Sequence, residues 1–195
     1  LLKNKTFLLF FIGNITSLIG FGFNLIAISW MVLEESGSEY LLGKIMASAT
    51  APGLILAIFA GVIIDKVNRK WLLVSLDIFR LIVVSVFLYF ISKFNFEVSF
   101  LYPVAFFMGL GNSLFWPTAQ AFVQELVLEK DYFNANKLLS ASYQVGSIFG
   151  AGVGGLVVHA YSPIVALWIN ILTYIVSAIF ISLAPFKRKN PYTEE

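Results

Sequence analysis

The chain has 195 residues, 59% of them hydrophobic and only 12% charged, with a net charge of +2. Soluble domains carry about 25% charged residues, so this chain cannot cover its surface for water, and a polytopic membrane protein is the class that remains. With no cysteine and one histidine, disulfides, thiolate chemistry and His-rich metal centres are excluded. Its basic residues lie at the edges of apolar runs rather than on one polar face, so nucleic acid is not an expected partner.

Six apolar stretches reach the roughly 20 residues that a bilayer crossing requires. In chain order they are Phe7 to Leu33, Leu41 to Ile64, Trp71 to Ser92, Val98 to Phe122, Leu138 to His159 and Ile164 to Phe186. The expected fold is therefore all-α, a polytopic membrane protein of six transmembrane helices. The fourth stretch holds Pro103 and Pro117; neighbouring helices can resupply the backbone partners that prolines remove. Lys3 and Lys5 precede the first span, Lys66, Arg69 and Lys70 divide the second from the third, and Lys130 and Lys137 divide the fourth from the fifth. Lys187, Arg188 and Lys189 follow the sixth, whereas the alternate loops hold Glu34, Glu35, Glu39, Lys93 and Glu97. Basic residues stay on the cytoplasmic side, so both ends of the chain are expected there.

Polar residues inside the spans are the candidates for function. The first span carries Asn14 and Asn24, ten residues apart and so about 80° from a common helical face. Either can serve as a helix-to-helix hydrogen bond or reach a transported ligand. Between the second and third spans lies Gly61-Val-Ile-Ile-Asp65-Lys66-Val-Asn68-Arg69-Lys70. A plain turn is satisfied by Gly, Ser, Asn or Pro; one acid and three bases suggest ion pairs that form and break. The simpler reading makes the bases topology anchors and Asp65 an N-terminal charge for the third helix.

In the third span Asp77 and Arg80 stand three residues apart, on one helical face and roughly 9 and 13 Å deep. Charges at that depth are costly, face the bundle interior and pair. Such a pair either fixes packing alone, or lets Asp77 exchange protons, or lets Arg80 meet an anionic group or an acid from another helix. Asn112, Trp116 and Gln120 in the fourth span combine aromatic and amide groups suited to a bulky amphipathic ligand. The fifth span runs Gly146-Ser-Ile-Phe-Gly150-Ala-Gly-Val-Gly154-Gly155. Glycines four residues apart let membrane helices approach closely, and Gly146, Gly150, Gly154 and Gly155 are the expected packing set.

The charged loop closely resembles the signature between the second and third helices of major facilitator superfamily transporters, G-x-x-x-D-[RK]-x-[GN]-R-[RK], with every specified position filled. The fifth-span glycines resemble the antiporter motif G-x-x-x-G-P-x-x-G-G of that family, with Ala151 in place of its proline. Asn134-Ala135-Asn136 is similar to an element of the macrolide and siderophore exporters. The arginine that many antiporters of this family carry in the first half of the fourth helix is missing from Ala105 to Met108.

The resemblance implies the amino-terminal half of a twelve-span transporter over residues 1–190, built of two three-helix repeats, although no repeat is visible in the sequence. It implies a linker over residues 187–195 leading to a carboxy-terminal six-helix half. It further implies a multi-pass protein of the bacterial inner (plasma) membrane, exporting a drug-like small molecule in exchange for protons, with the proton as coupling ion. Asp65 with Gly61, Lys66, Arg69 and Lys70 would then be a conformational latch, and the first and fourth helices would line the substrate path. No phosphate-cradling or hydrolase motif appears, so no cofactor and no enzymatic activity are expected. An uptake carrier, or a membrane subunit served by a separate ATPase, is the alternative reading.

Overall fold

The computed structural model describes residues 4–186, and every regular element among them is helical. The long helices are α1 (Lys5–Ser36), α2 (Glu39–Lys66), α3 (Arg69–Lys93), α4 (Leu101–Leu126), α5 (Tyr132–Ala160) and α6 (Pro163–Leu183). All six are long and apolar enough to cross a membrane, as expected from the sequence. The segment 187–195, expected to begin a linker, lies outside the described residues.

Short polar punctuation sets the boundaries. Asn4 accepts from the backbone N–H groups of Thr6 and Phe7 to start α1, and Gly37 closes it at φ 60°, a left-handed conformation that glycine adopts without steric cost. Ser38, Asn68 and Ser162 cap α2, α3 and α6 in the same side-chain manner. Several helix ends depart from the hydropathy limits, α4 for example running from Leu101 to Leu126 rather than from Val98 to Phe122. α5 starts at Tyr132, six residues before Leu138, because a helix can continue past the edge of its apolar run. α6 stops at Leu183, ahead of Phe186, because Pro185 disfavours helical backbone in the residue before it. Pro103 falls in the first turn of α4, where backbone N–H groups have no intrahelical partner anyway.

Helix α1 packs on α5 and α6, α4 packs on α2 and α3, and α3 packs on α6. Exchanging helices 1, 2 and 3 for 4, 5 and 6 maps this pattern onto itself. The two three-helix units absent from the sequence thus appear in the contacts. Very close approaches make the α1–α5 and α2–α4 seams possible: a Cβ on Gly150 would fall 2.2 Å from the Ile19 carbonyl oxygen.

Two apolar clusters fill the bundle. One gathers Phe23, Met31, Val84, Phe87, Leu101 and Leu167; the other gathers Phe7, Phe10, Leu73, Phe122, Leu139 and Ile181. On α1, α3 and α6 the residues between these clusters are Asn14, Ser17, Asp77, Arg80 and Ser177, all buried. A polar layer therefore crosses the middle of the membrane domain. By contrast α2 buries only Ile45, Pro52 and Ile64, leaving an apolar face of Leu54, Ile58 and Val62 uncovered.

Candidate functional site: a buried charge pair behind an aromatic cavity

The i, i+3 spacing on α3 turns Asp77 and Arg80 to the same side, and they form a salt bridge with their side chains 0% and 2% exposed. Two charges taken out of water are tolerated only when their remaining hydrogen-bonding capacity is met. Three other helices supply the partners. Ser17 of α1 donates to one carboxylate oxygen of Asp77 at 2.9 Å, and Ser177 of α6 donates to the other at 2.6 Å. Arg80 donates through Nε to the Leu76 carbonyl at 3.2 Å, through Nη1 to the Asn112 side chain at 2.9 Å, and through Nη2 to Ser17 at 3.0 Å. Its guanidinium carbon lies 4.3 Å from the ring centre of Phe115 and 4.5 Å from that of Tyr174, so the cation contacts two aromatic rings. Gly111 makes the space for it: a Cβ there would stand 2.7 Å from Arg80 Cγ.

One edge of this assembly reaches a cavity of about 360 Å³, lined by Leu18, Phe21, Arg80, Asn112, Phe115, Trp116, Ser140, Tyr143 and Gln144. Helical spacing explains the lining. Asn112 and Trp116 are one turn apart on α4, and Ser140, Tyr143 and Gln144 share one face of α5. The Trp116 and Tyr143 rings meet with centroids 4.8 Å apart. The size, the aromatic walls and the few convergent polar groups are those of a small-molecule site.

Of the residues expected on a substrate path, Asn112 and Trp116 line this cavity, whereas Asn14, Asn24 and Gln120 do not. Asn14 is fully buried and donates to Ser142 at 3.1 Å across the α1–α5 seam, while Asn24 is buried within the bundle. Gln120 sits one turn beyond Trp116, outside the cavity lining. Tyr143 and Gln144 were not singled out in the sequence, where the glycines from Gly146 onward dominate the fifth span.

The charged loop also divides. Asp65 is 71% exposed and pairs with Arg69 at 2.8 Å; Lys66 is exposed. Arg69 turns inward, donating to Glu125 at 2.9 Å and to the Ala121 carbonyl at 3.3 Å, so it ties α3 to the end of α4. Lys70 is buried and donates to the Ala184 carbonyl at 2.7 Å, capping the end of α6. Gly61 faces open space. Glu125 was not singled out in the sequence, although an acid at the end of an apolar span signals a partner.

In α5, Gly146, Gly150 and Gly154 lie against Leu18, Ile19 and Phe23 of α1, as their four-residue spacing requires. Gly155 departs from the expected packing set: no atom stands within 4 Å of a Cβ built there, because one residue on is about 100° round the helix.

A six-helix membrane bundle with an internal twofold pattern and a cavity at the depth of its polar layer has the architecture of one half of a secondary transporter. Over residues 1–194 the chain matches the model of the family described as transmembrane secretion effector, and it belongs to that branch of the major facilitator superfamily. It is 24% identical over 188 residues to the multidrug efflux pump Tap of Mycolicibacterium fortuitum, covering 93% of this chain and 46% of that protein. It is 29% identical over 152 residues to the putative bacilysin exporter BacE of Bacillus amyloliquefaciens, covering 78% and 38%. With multidrug resistance protein 2 of Bacillus subtilis it shares 25% over 162 residues, 80% of the chain and 38% of that protein. The chain thus spans less than half the length of these relatives, and its six helices fit an amino-terminal half.

Proposed function

We propose that this chain is the amino-terminal half of a secondary transporter that exports a drug-like or amphipathic small molecule in exchange for protons. The observation that carries the reading is Asp77. Among the described residues it is the only acid between the two apolar clusters, and its cationic partner Arg80 also forms part of the cavity wall. A ligand that engages Arg80 weakens its hold on Asp77, and a proton on Asp77 releases Arg80, so the two cargoes bias the same side chains. The exporters among the relatives favour this direction of transport. The end of the bundle bearing Lys5, Lys66, Arg69, Lys130 and Lys137 faces the cytoplasm in this reading, across the plasma membrane from Glu34, Glu39 and Glu97.

The test is efflux of fluorescent amphipathic compounds from cells expressing the full-length parent, repeated with a protonophore at constant ATP. Efflux is expected to collapse with the gradient. Persistence without the gradient, coupled to ATP, would remove the proposal in favour of an ATP-driven exporter. Asp77→Asn preserves shape and most hydrogen bonds, and is expected to bring gradient-driven efflux to the background of cells lacking the protein while ligand binding persists. Gradient-driven efflux at the parent rate in this variant would remove Asp77 from the coupling step.

The Asp65 loop serves as the latch in this scheme. Leu54, Ile58, Gly61, Val62 and Asp65 share one open face of α2, suited to contact with a second bundle that closes the cytoplasmic side. Gly61→Leu and Asp65→Asn are each expected to lower transport about tenfold, the effect of shifting one open state by roughly 1.4 kcal/mol. Gly61 faces open space and Asp65 is an exposed partner of Arg69, so the melting temperature of the purified protein should change little. Full transport in both variants would eliminate the latch.

A further inference from the structure

We infer that the cavity selects ligands carrying a carboxylate, or a comparably strong acceptor, beside an aromatic body, and that Arg80 with Asn112 reads the acceptor. This deepens the transport reading above and rests on it for the site's purpose, but not for its chemistry. Arginine has five N–H donors in a rigid fork. Four are committed: to Leu76, Asn112, Ser17 and Asp77. The fifth belongs to Nη1, the nitrogen that already reaches Asn112, a cavity residue. Phe115 and Tyr174 also lie against the guanidinium, so this remaining N–H is the donor left for a ligand.

The field at that donor follows from where the charges lie. Asp77 is 0% exposed and absent from the cavity wall, whereas among the described residues Arg80 is the one ionisable group other than Tyr143 on that wall. The pair is a dipole whose positive end points at the ligand. Among the described residues no carboxylate lines the cavity to meet a cationic ligand, and a cation approaching the guanidinium is repelled at short range. An anionic or carbonyl oxygen gains a charge-assisted hydrogen bond instead. The apolar remainder of such a ligand has Trp116 and Tyr143 to lie against, and aromatic bodies stack there favourably.

The experiment uses the full-length parent in lipid nanodiscs and three matched naphthyl probes bearing a carboxylate, a carboxamide or a trimethylammonium group. Binding is read by titration, and flux of the same probes is read in proteoliposomes. The carboxylate probe is expected to bind at least about tenfold more tightly than the ammonium probe, the scale of one charge-assisted hydrogen bond, with the carboxamide between. Asn112→Asp is nearly isosteric and sets a second carboxylate against the same guanidinium; it is expected to abolish or reverse that ranking. Equal or reversed affinity in the parent, or a ranking untouched by Asn112→Asp, overturns the inference, as does failure of all three probes to bind. Binding in the expected order without vectorial flux would count against export alone and leave the ligand class standing.

Discussion

Arg80→Leu is expected to be among the most destabilising single changes in the bundle, at about 3–5 kcal/mol. The substitution leaves Asp77 as a fully buried carboxylate whose remaining donors among the described residues are Ser17 and Ser177. It also removes the cation that contacts the Phe115 and Tyr174 rings and the donor that engages Asn112. Asp77→Asn should be much milder. Arg80 would keep its bonds to Leu76, Asn112 and Ser17 and its two ring contacts, and its edge reaches the cavity. Because replacing both members of a buried pair is commonly close to neutral, whereas removing one is not, the double variant Asp77→Asn with Arg80→Leu should recover most of the loss. Thermal unfolding of the full-length parent, followed by tryptophan fluorescence, measures all three. A double variant as unstable as Arg80→Leu would show that the guanidinium acts through packing rather than by balancing the acid.

The six helices were legible because membrane spans are written locally, as runs of apolar residues long enough for a bilayer. The pairing of Asp77 with Arg80 was legible for the same reason, since an i, i+3 spacing is a local relation. What surrounds the pair was not. Its partners Ser17, Asn112 and Ser177 lie 63, 32 and 100 residues away from the atoms they bond, and nothing local announces a serine as the donor to a buried acid. Asn14 shows the limit of periodicity: spacing tells which residues share a face, but not whether that face meets ligand, lipid or another helix. Lys70 shows it again, because a base in a charged loop reads as a surface anchor, yet its ammonium caps α6. The internal repeat was invisible for a related reason. Helices need only small residues at their crossings and apolar ones elsewhere, so the two halves of the bundle can share contacts without sharing sequence.

The glycines of α5 allow that argument to be tested at single positions. Gly150→Val is expected to abolish accumulation of folded protein, while Gly155→Val, five residues along the same helix, should be tolerated. At Gly150 the new Cβ would sit 2.2 Å from the Ile19 carbonyl oxygen and 2.9 Å from its Cα. These are backbone atoms of α1, so no side-chain rotation relieves the overlap and the whole helix must move. Gly22 closes the same contact from the opposite side, since its own Cβ would lie 2.5 Å from the Ala151 nitrogen. Moving α1 away from α5 also pulls Asn14 from Ser142 and shifts Ser17, which holds Asp77. Damage at the seam therefore reaches the charge pair. At Gly155 nothing stands within 4 Å, and a β-branched side chain facing that space meets no backbone. Yield of monodisperse protein after solubilisation, with melting temperature where protein survives, separates the two positions. Equal tolerance at both would mean that α1 and α5 can part without unfolding, and the close seam would then be incidental to the fold.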